Sequence, residues 1–339
     1  MINRTAQRAT AALLLLIGLG ALAGYGWSRR SASAAAALES VTIATNTEYV
    51  GTCPIVAARA LGYFAQHGIA ATVQPHSSGK AALEAALQGR ADLGTVADIP
   101  LVFTVLNKIP VSIVATIFKT DKDHGIVGRR DLGVVGPASL KGKRVGVTLG
   151  TSAHFVLSAF LNREHLAGAD VQMVDLAPAA FAGALARGEV DAISSWEPFL
   201  DTLMTGLGDN GSLFYGEDVY EIPYNIAGAR AYVASHGATI GKVLRALIQG
   251  ARYCNEQPER ARALIGAAMN ANAGTWKALW PTYRFSVGLD QGLLLALEDE
   301  TRWAIANRLA AAGAMPNYLD AIDLRALEAV APAAVTVIH

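Results

Sequence analysis

Two short turns rich in hydroxyl groups are the clearest candidates for ligand chemistry in this sequence. Ser77-Ser78-Gly79 comes directly before one helical pattern, and Gly150-Thr151-Ser152 comes before another. The free N–H groups and positive dipole end of a helix N-terminus attract anions. Ser and Thr also cap helices routinely, and for either turn alone capping is the favoured interpretation. If both turns face one cleft, together they predict an anion-binding site.

Three further side chains could contact a ligand near those turns. Trp196 and Glu197 follow an apolar strand pattern, and the indole could cover a ligand or pack in the core. Glu197 could meet a ligand amine, or it could cap the helix that begins at Pro198. His154 could donate a hydrogen bond to an anion, or it could lie on a helix face. The sequence leaves these alternatives open.

The motifs of common enzyme classes are missing from the chain. It contains no H-E-x-x-H, G-x-S-x-G, C-x-x-C or G-x-G-x-x-G, and its seven histidines are scattered without ligand spacing. Ser77-x-x-Lys80 matches an acyl-serine pattern, but the companion motifs are absent and the match is discarded. Cys53 and Cys254, without nearby histidines, do not form a zinc site. We therefore predict no catalytic residue, no metal and no cofactor.

A segment written twice indicates how these residues are positioned. Each copy has a helical pattern, a glycine at its end, a short apolar strand and an acidic residue beside a proline. The residues in register, each 99 positions apart, are Gly89 and Gly188, Asp92 and Asp191, and Asp98 and Glu197. Glycine takes the left-handed conformation after a helix at little cost. The duplication predicts two similar α/β lobes whose acidic loop ends face one cleft.

Strand and helix patterns alternate through most of the chain. Strands are predicted at residues 41–44, 71–74, 93–96, 112–118, 143–148, 171–174 and 192–195. Helices are predicted at residues 54–65, 81–88, 100–107, 153–163, 179–187 and 198–204. This alternation predicts mostly parallel sheets covered by helices. From about Ile226 the chain reads as predominantly helical, with candidates at 240–256, 258–269 and 289–312. The chain is predicted to cross between lobes near 127–130 and 224–228.

Ligands of open α/β sheets bind beyond the carboxyl ends of the strands. The first loop at that end runs from Thr45 to Cys53 and contains Asn46 and Tyr49. A later loop contains Asp98. These three side chains join the two hydroxyl-rich turns as candidate ligand contacts.

Composition and the N-terminus favour an exported protein. The chain of 339 residues fits about two domains, and its 28 basic and 28 acidic side chains argue against a nucleic-acid partner. Arg4 and Arg8 precede an uncharged stretch over residues 9–27, which is typical of a cleaved secretory signal. An uncleaved membrane anchor is the alternative. Export permits a disulfide between the two cysteines, and two unpaired thiols are an equal alternative.

Four blocks in order resemble one known family. They are residues 75–83, 89–100, 139–154 and 188–199, and the third block is the strongest. The chain from about residue 40 onward resembles the nitrate/sulfonate/taurine group of solute-binding proteins that serve ABC transporters. The resemblance implies that Ser77, Ser78, Asp98, Thr151, Ser152, Trp196 and Glu197 border a ligand. Cys53 departs from the family pattern because it sits in the first ligand-side loop.

The resemblance also implies a fold and a function. The fold is an α/β, two-lobed periplasmic-binding-protein fold of type II, with two hinge crossings and a helical C-terminal region packed on lobe one. The expected division is 1–38 for the signal peptide or anchor, 39–128 plus 228–339 for lobe I, and 129–227 for lobe II. The expected protein is a monomer in the periplasm or another extracytoplasmic space. It would capture a small anionic solute, an alkanesulfonate or taurine-like compound first, for an ABC permease.

Other functions stay open at this point. A membrane-tethered sensor would use the same fold with an uncleaved anchor. A solute-binding protein for nitrate, a carboxylate or a pyrimidine precursor would use the same turns. An enzyme on the same scaffold would need a catalytic constellation, and the sequence displays none.

Overall fold

The computed structural model describes residues 37–216, 220–269, 274, 276–311 and 313–338. The predicted signal peptide or anchor lies outside these residues. Within the described ranges, no helix combines the length and apolar character needed to span a bilayer.

The first part of the chain alternates strands and helices much as the sequence predicts. Its elements are β1 Glu39–Asn46, α1 Cys53–Ala60, α2 Tyr63–Gln66, β2 Ile69–His76, α3 Gly79–Leu87, β3 Leu93–Ala97, α4 Asp98–Leu106 and β4 Val111–Thr120. Every residue of β3 is buried. An apolar strand of this kind, covered on both faces, forms the centre of an α/β sheet.

The middle part repeats the alternation. Its elements are β5 His124–Arg129, β6 Arg144–Val147, α5 Ser152–Arg163, β7 Gln172–Asp175, α6 Phe181–Ala186, β8 Ala192–Trp196, α7 Phe199–Leu207 and β9 Gly211–Tyr215. All five residues of β8 are buried, like those of β3. The second copy of the repeat therefore occupies the same kind of central position as the first.

The last part is helical, but it begins with a long strand that the sequence patterns did not predict. Its elements are β10 Ile222–Ala229, α8 Arg230–Ser235, α9 Gly237–Glu256, α10 Pro258–Met269, β11 Arg284–Gly288, α11 Gln291–Ala306 and α12 Arg325–Glu328. The predicted helices at 240–256 and 258–269 correspond to α9 and α10. β10 contains Pro223, Asn225 and Gly228, residue types that are depleted in strands. That composition hid it.

The strands form two sheets, and both are mixed. The six-stranded sheet has the order β11-β4-β10-β3-β1-β2, and the five-stranded sheet has the order β7-β6-β8-β5-β9. β1 pairs parallel with β2 and β3, and β6 pairs parallel with β7 and β8. The pairs that involve β10, β5 or β11 are antiparallel. The prediction of mostly parallel sheets is wrong because β10 and β5 enter the middle of a sheet after a crossing rather than after a covering helix.

The chain crosses between the sheets a few residues before each predicted position. It leaves the six-stranded sheet after Thr120 and enters the five-stranded sheet at His124. It leaves again after Tyr215 and returns at Ile222. The predicted crossing segments 127–130 and 224–228 lie largely in β5 and β10, where ladder hydrogen bonds fix the backbone.

The two copies of the repeat make the same local structure. The Asp92 carboxylate accepts from the N–H of Thr42 on β1 at 2.7 Å, and the Asp92 N–H returns a bond to the Thr42 carbonyl. The Asp191 carboxylate accepts from the N–H of Arg144 on β6 at 2.8 Å, again with a returned backbone bond. Each aspartate therefore links the start of its own strand, β3 or β8, to the neighbouring strand, β1 or β6, by two hydrogen bonds.

A disulfide joins Cys53 at the start of α1 to Cys254 near the end of α9, 201 residues apart in the chain. This decides between the two alternatives for the thiols. Both cysteines are fully buried in the packed interface of α1 and α9. Cys53 is therefore part of the core rather than a ligand contact in the first loop.

Candidate functional site

Loop ends of both sheets surround one cavity, the inner cavity, with about 350 Å³ of space between atoms. It is lined by Asn46, Tyr49, Ser78, Gly79, Lys80, Ala97, Pro100, His124, Thr151, Ser152, Trp196 and Tyr224. The lining comes from residues that follow β1, β2, β3 and β6, together with residues of β5, β8 and β10.

Most of the predicted site residues lie on this cavity. The structure brings together Asn46, Tyr49, Ser78, Gly79, Thr151, Ser152 and Trp196. Four other predicted residues do not line the cavity. Ser77 is exposed, the side chains of Asp98 and Glu197 are buried elsewhere, and His154 faces a neighbouring groove. The sequence missed Lys80, Ala97, Pro100, His124 and Tyr224 as lining residues.

Ser78 both caps α3 and borders the inner cavity. Its hydroxyl oxygen accepts from the Ala81 N–H at 3.2 Å, so the hydroxyl proton is still available for a second partner. Gly79 follows it, and a Cβ there would lie 2.8 Å from the Tyr224 hydroxyl and 3.0 Å from the Val96 Cα. Glycine is needed because two backbones and a phenol meet closely at this point.

The N-terminus of α5 presents a second hydroxyl. Gly150 takes a positive φ of 72° before the helix, and Thr151 donates its hydroxyl proton to the Thr148 carbonyl at 2.7 Å. Ser152 is the first residue of the helix, and its Oγ lies 2.7 Å from His124 Nε2. The first N–H groups of a helix have no intrahelical acceptor, so this end of α5 adds donors to the cavity wall.

A buried carboxylate holds His124 in place. The imidazole Nδ1 lies 2.5 Å from the Asp123 Oδ1, and Asp123 is 0% exposed. The second oxygen of Asp123 accepts from the hydroxyls of Tyr49 and Tyr283. The carboxylate acceptor beside Nδ1 places the imidazole proton there, so Nε2 accepts the hydroxyl proton of Ser152. Asp123, His124 and Ser152 thus form a continuous chain of hydrogen bonds that ends on the cavity.

No sequence pattern pointed to this chain of bonds. Asp123 and His124 are adjacent in a charged, Gly-rich passage, and Ser152 lies 28 residues further on. Asp123 is in the first crossing between the sheets, and its carbonyl accepts from the Glu197 N–H at 2.9 Å. Only the folded crossing brings these groups together.

Tyr224 contributes a buried hydroxyl without a partner. Among the described residues, no group lies within hydrogen-bonding geometry of its oxygen. Burial raises the pKa of Tyr224, and the neighbouring Thr95 hydroxyl only partly offsets this. Buried polar atoms in folded proteins are nearly always paired. The phenol hydroxyl therefore faces the cavity as a hydrogen-bond donor that has no acceptor among the described residues.

Asp98 is engaged with the C-terminal part of the chain. One oxygen accepts from the Ile99 N–H at 2.8 Å, and the other has no partner within hydrogen-bonding geometry among the described residues. The buried carboxyl of Glu300 on α11 lies beside it. Burial raises the pKa of Asp98 to about 6, and it raises the pKa of Glu300 further. The Tyr220 hydroxyl donates to one oxygen of Glu300. Of the two carboxyls, Glu300 is therefore the one that keeps its proton more readily.

Glu197 likewise makes its hydrogen bonds outside the inner cavity. It accepts from the Tyr215 hydroxyl at 2.5 Å and from the Asp201 N–H at 3.2 Å. Burial raises the pKa of Glu197 to about 7. Within the described residues, no Asp or Glu lines the inner cavity, so a contact between Glu197 and a ligand amine has no support in this arrangement.

His154 and Lys80 lie where the inner cavity opens. Burial lowers the pKa of His154 to about 4, so its imidazole is neutral near pH 7. Lys80 is the cation on the lining, and its Nζ donates to the Leu149 carbonyl at 3.3 Å. The bond joins α3 of the first sheet to the loop after β6 of the second.

Two mixed α/β sheets, joined by two crossings and enclosing a polar cavity at their loop ends, define the periplasmic-binding-protein fold. A family model described as NMT1/THI5 like matches residues 50–261, and the chain belongs to this family. The fold and the resemblance to solute-binding proteins of the nitrate/sulfonate/taurine type are confirmed.

Three known proteins illustrate the likeness. The chain is 29% identical over 196 residues to a putative aliphatic sulfonates-binding protein of Escherichia coli K12, covering 58% of this chain and 61% of that one. It is 26% identical over 165 residues to the taurine-binding periplasmic protein of the same organism, covering 48% and 50%. The alkanesulfonate-binding protein SsuA from Xanthomonas axonopodis pv. citri, solved with MOPS, aligns with a TM-score of 0.75 at 22% identity, covering 85% of this chain and 99% of the other.

Proposed function

We propose that this protein is an extracytoplasmic solute-binding protein that captures a small anion, an alkanesulfonate first, and delivers it to an ABC permease. The observation that carries the proposal is the convergence of donors from both sheets on one cavity that has no lining carboxylate among the described residues. Ser78 and Tyr224 belong to the part of the chain that builds the first sheet, and the free N–H groups at the start of α5 belong to the part that builds the second. The relatives named for sulfonate and taurine binding support the same class of ligand.

Each donor has a physical reason to favour an anion. The N-termini of α3 and α5 carry free N–H groups and partial positive charge. The Ser78 proton and the Tyr224 hydroxyl have no acceptor of their own among the described residues. Lys80 adds a positive charge at the opening. A sulfonate has three acceptor oxygens and would satisfy several of these donors together, with Trp196 beside its carbon atoms.

The proposed mechanism is closure of two lobes around the solute. We propose that the lobes divide between Thr120 and His124 and between Tyr215 and Ile222, close to the division expected from the sequence. A ligand that contacts both lobes only when they are closed shifts the equilibrium to the closed state. Asp123 sits in the first crossing and bonds Tyr49 and Tyr283 on one side and His124 on the other. Asp123 therefore connects the first crossing, through hydrogen bonds, to residues that line the cavity.

The disulfide supports an extracytoplasmic location, because disulfides persist in oxidising compartments and are rare in the cytosol. A monomer that docks on a permease is the expected assembly. A tethered sensor, or a carrier of nitrate, a carboxylate or a pyrimidine precursor, would use the same cavity. Ligand identity distinguishes the carriers from one another.

Titration calorimetry of the purified protein with alkanesulfonates, taurine, nitrate, carboxylates and pyrimidines tests the proposal. We expect a sulfonate to bind, and Tyr224→Phe to weaken it at least tenfold, because a hydrogen bond from the unpaired hydroxyl to a charged group is lost. Tyr253→Phe is the matched control, since Tyr253 lies on α9 and lines neither this cavity nor the neighbouring groove. Absence of binding by every sulfonate would contradict the proposal.

The bond chain from Asp123 through His124 to Ser152 favours a second candidate function, hydrolysis of a small ester. Its order and distances are those of a Ser-His-Asp nucleophile, with helix N–H groups beside the serine. Ser152 Oγ would attack the carbonyl while its proton passes to His124 Nε2 and then to the leaving alcohol. Water would then release the acid, return a proton through His124 and restore Ser152.

Labelling with a fluorophosphonate, read by mass spectrometry, tests this candidate. An adduct on Ser152 that is lost in His124→Gln and kept in Ser158→Ala would support hydrolysis. An unlabelled Ser152 in a protein that still binds a sulfonate would exclude it.

A further inference from the structure

A second, larger space adjoins the inner cavity. This outer groove encloses about 960 Å³ between atoms and is lined by Lys80, Leu83, Glu84, Leu87, Pro100, Phe103, Thr104, Asn107, Ile109, Leu149, Gly150, His154 and Leu309. Lys80 and Pro100 line both spaces, so the two adjoin at these residues. Like the inner cavity, the outer groove takes residues from both sides of the cleft: α3 and α4 of the first sheet, and the loop after β6 of the second.

The chemistry of the outer groove differs from that of the inner cavity. Leu83, Leu87, Phe103, Ile109, Leu149 and Leu309 supply most of its wall. Ile109 is 44% exposed and Leu309 is 40% exposed, and both belong to the small set of large apolar side chains that reach solvent in the described chain. Apolar side chains gathered at the edge of a groove indicate a surface that another apolar group covers.

The charged groups argue against a zwitterionic ligand. Among the described residues, the inner cavity has no carboxylate that could meet an ammonium group close to the anionic head. Glu197 is occupied by Tyr215 and by the Asp201 N–H. Glu84, the carboxylate on the outer groove, is exposed to solvent. An amine two carbons from the head would lose its hydration without gaining a partner.

We propose that the outer groove holds the uncharged apolar tail of the ligand whose anionic head lies in the inner cavity. The ligand class is then an alkyl or aryl sulfonate with a tail of several carbons, and short aminosulfonates are disfavoured. Lys80 marks the junction, where its ammonium group lies beside the head and its methylene stem lies along the tail. This inference rests on the proposed function and adds the part of the ligand that the inner cavity is too small to hold.

A chain-length series tests the proposal. Alkane-1-sulfonates from two to eight carbons are titrated into the purified protein, and we expect affinity to rise about fourfold per methylene until the groove is filled. Propane-1-sulfonate and taurine have nearly the same shape, and we expect taurine to bind at least tenfold more weakly. Affinity that is flat with length, or taurine that binds as well as propane-1-sulfonate, would overturn the inference.

Two exposed side chains provide variants that spare the core. Ile109→Ser and Leu309→Ser are expected to weaken octane-1-sulfonate about tenfold together and to leave ethanesulfonate unchanged. Leu295→Ser is the matched control, because Leu295 is 56% exposed on α11 and does not line the groove. Equal losses for the long and short sulfonates would contradict a tail site. Absence of binding by all sulfonates would instead overturn the proposed function itself, so the two failures are distinguishable.

Discussion

The two copies of the repeat place a buried carboxyl at the same point and then use it differently. Asp98 ends the first copy and lies beside the buried carboxyl of Glu300 on the C-terminal helix α11. Glu197 ends the second copy and accepts from Tyr215 and the Asp201 N–H within its own lobe. Neither carboxyl lines the inner cavity. In both copies the acidic side chain therefore contacts other groups of the protein. The proposed ligand contacts come from residues that do not correspond between the two copies.

A second difference lies in how each half is completed. The first sheet receives β10 and β11 from the end of the chain, and the disulfide fastens α9 to α1. The second sheet is built from one continuous stretch, β5 to β9, and has no such bond. Four predictions test whether the stability of the protein depends on these differences between its two halves.

The largest expected effect comes from removing the disulfide. Closing a loop of 201 residues restricts the unfolded chain by an amount equivalent to about 5 kcal/mol in the chain-entropy model, and measured losses are about 2–5 kcal/mol. We expect Cys53→Ala with Cys254→Ala to lower the free energy of unfolding by that amount in urea titrations. A double variant as stable as the unmodified protein would show that packing alone holds α9 on α1.

The next largest effect concerns Glu300. Replacing it with Ala leaves the Tyr220 hydroxyl without its partner and opens a small cavity, at a cost of about 3 kcal/mol. Glu300→Gln keeps an acceptor for Tyr220 and fills the same space, and we expect it to cost less than about 1 kcal/mol. Urea unfolding of the two variants at pH 7 measures the difference. Equal losses would mean that neither the bond to Tyr220 nor the filled space accounts for the cost.

Glu197 gives the matching prediction for the second copy, with a pH dependence. Its pKa in the folded protein, about 7, lies above the ordinary value of 4.5. The folded state therefore retains a proton that the unfolded chain releases, so this contribution is complete below about pH 4.5 and is lost as the pH rises through 7. We expect Glu197→Gln to remove about 3 kcal/mol of the fall in stability over that window, because each pKa unit corresponds to about 1.4 kcal/mol. Parallel pH profiles for the two proteins would contradict the assignment.

The smallest effect compares the two aspartates that fasten β1 and β6. Asp92 and Asp191 each accept from one backbone N–H, and only Asp191 also pairs with the Arg144 guanidinium, at 2.6 Å. Asp92→Ala and Asp191→Ala should each cost about 1–2 kcal/mol, because an N–H is left unpaired. The half-exposed ion pair adds at most about 1 kcal/mol, and 1 M salt should remove that excess for Asp191 alone. If 1 M salt reduced the cost of both substitutions, the assignment of the ion pair to Asp191 alone would be wrong.

Much of the fold was predictable from local patterns. The strands and helices up to β4, and those from β6 to α7, follow apolar runs with glycine and proline at their ends, and local preference agrees there with the final structure. β10 and β5 escaped prediction because Gly, Pro and Asn interrupt them, and their place in the middle of each sheet is set by pairing with β3, β4, β8 and β9. Pairing between distant segments has no local signature.

The site divides in the same way. Ser78, Gly79, Thr151 and Ser152 were predictable because a helix N-terminus after a strand has a recognisable sequence and a known position on the sheet. The same reasoning predicts Asp98, Glu197 and His154 as ligand contacts, but their side chains lie against Glu300, Tyr215 and Trp303, which only the packed chain brings near.

The sequence by itself determined the class of fold, the repeat and the two helix ends that carry hydroxyls, because each of these rests on residues close together in the chain. The tertiary structure alone decided the pairing of Cys53 with Cys254, the chain of bonds from Asp123 to Ser152, and the unpaired hydroxyl of Tyr224 in the cavity. Those groups come from segments that meet only after both crossings have formed. Their chemistry depends on distances and burial, which the linear order of residues does not contain.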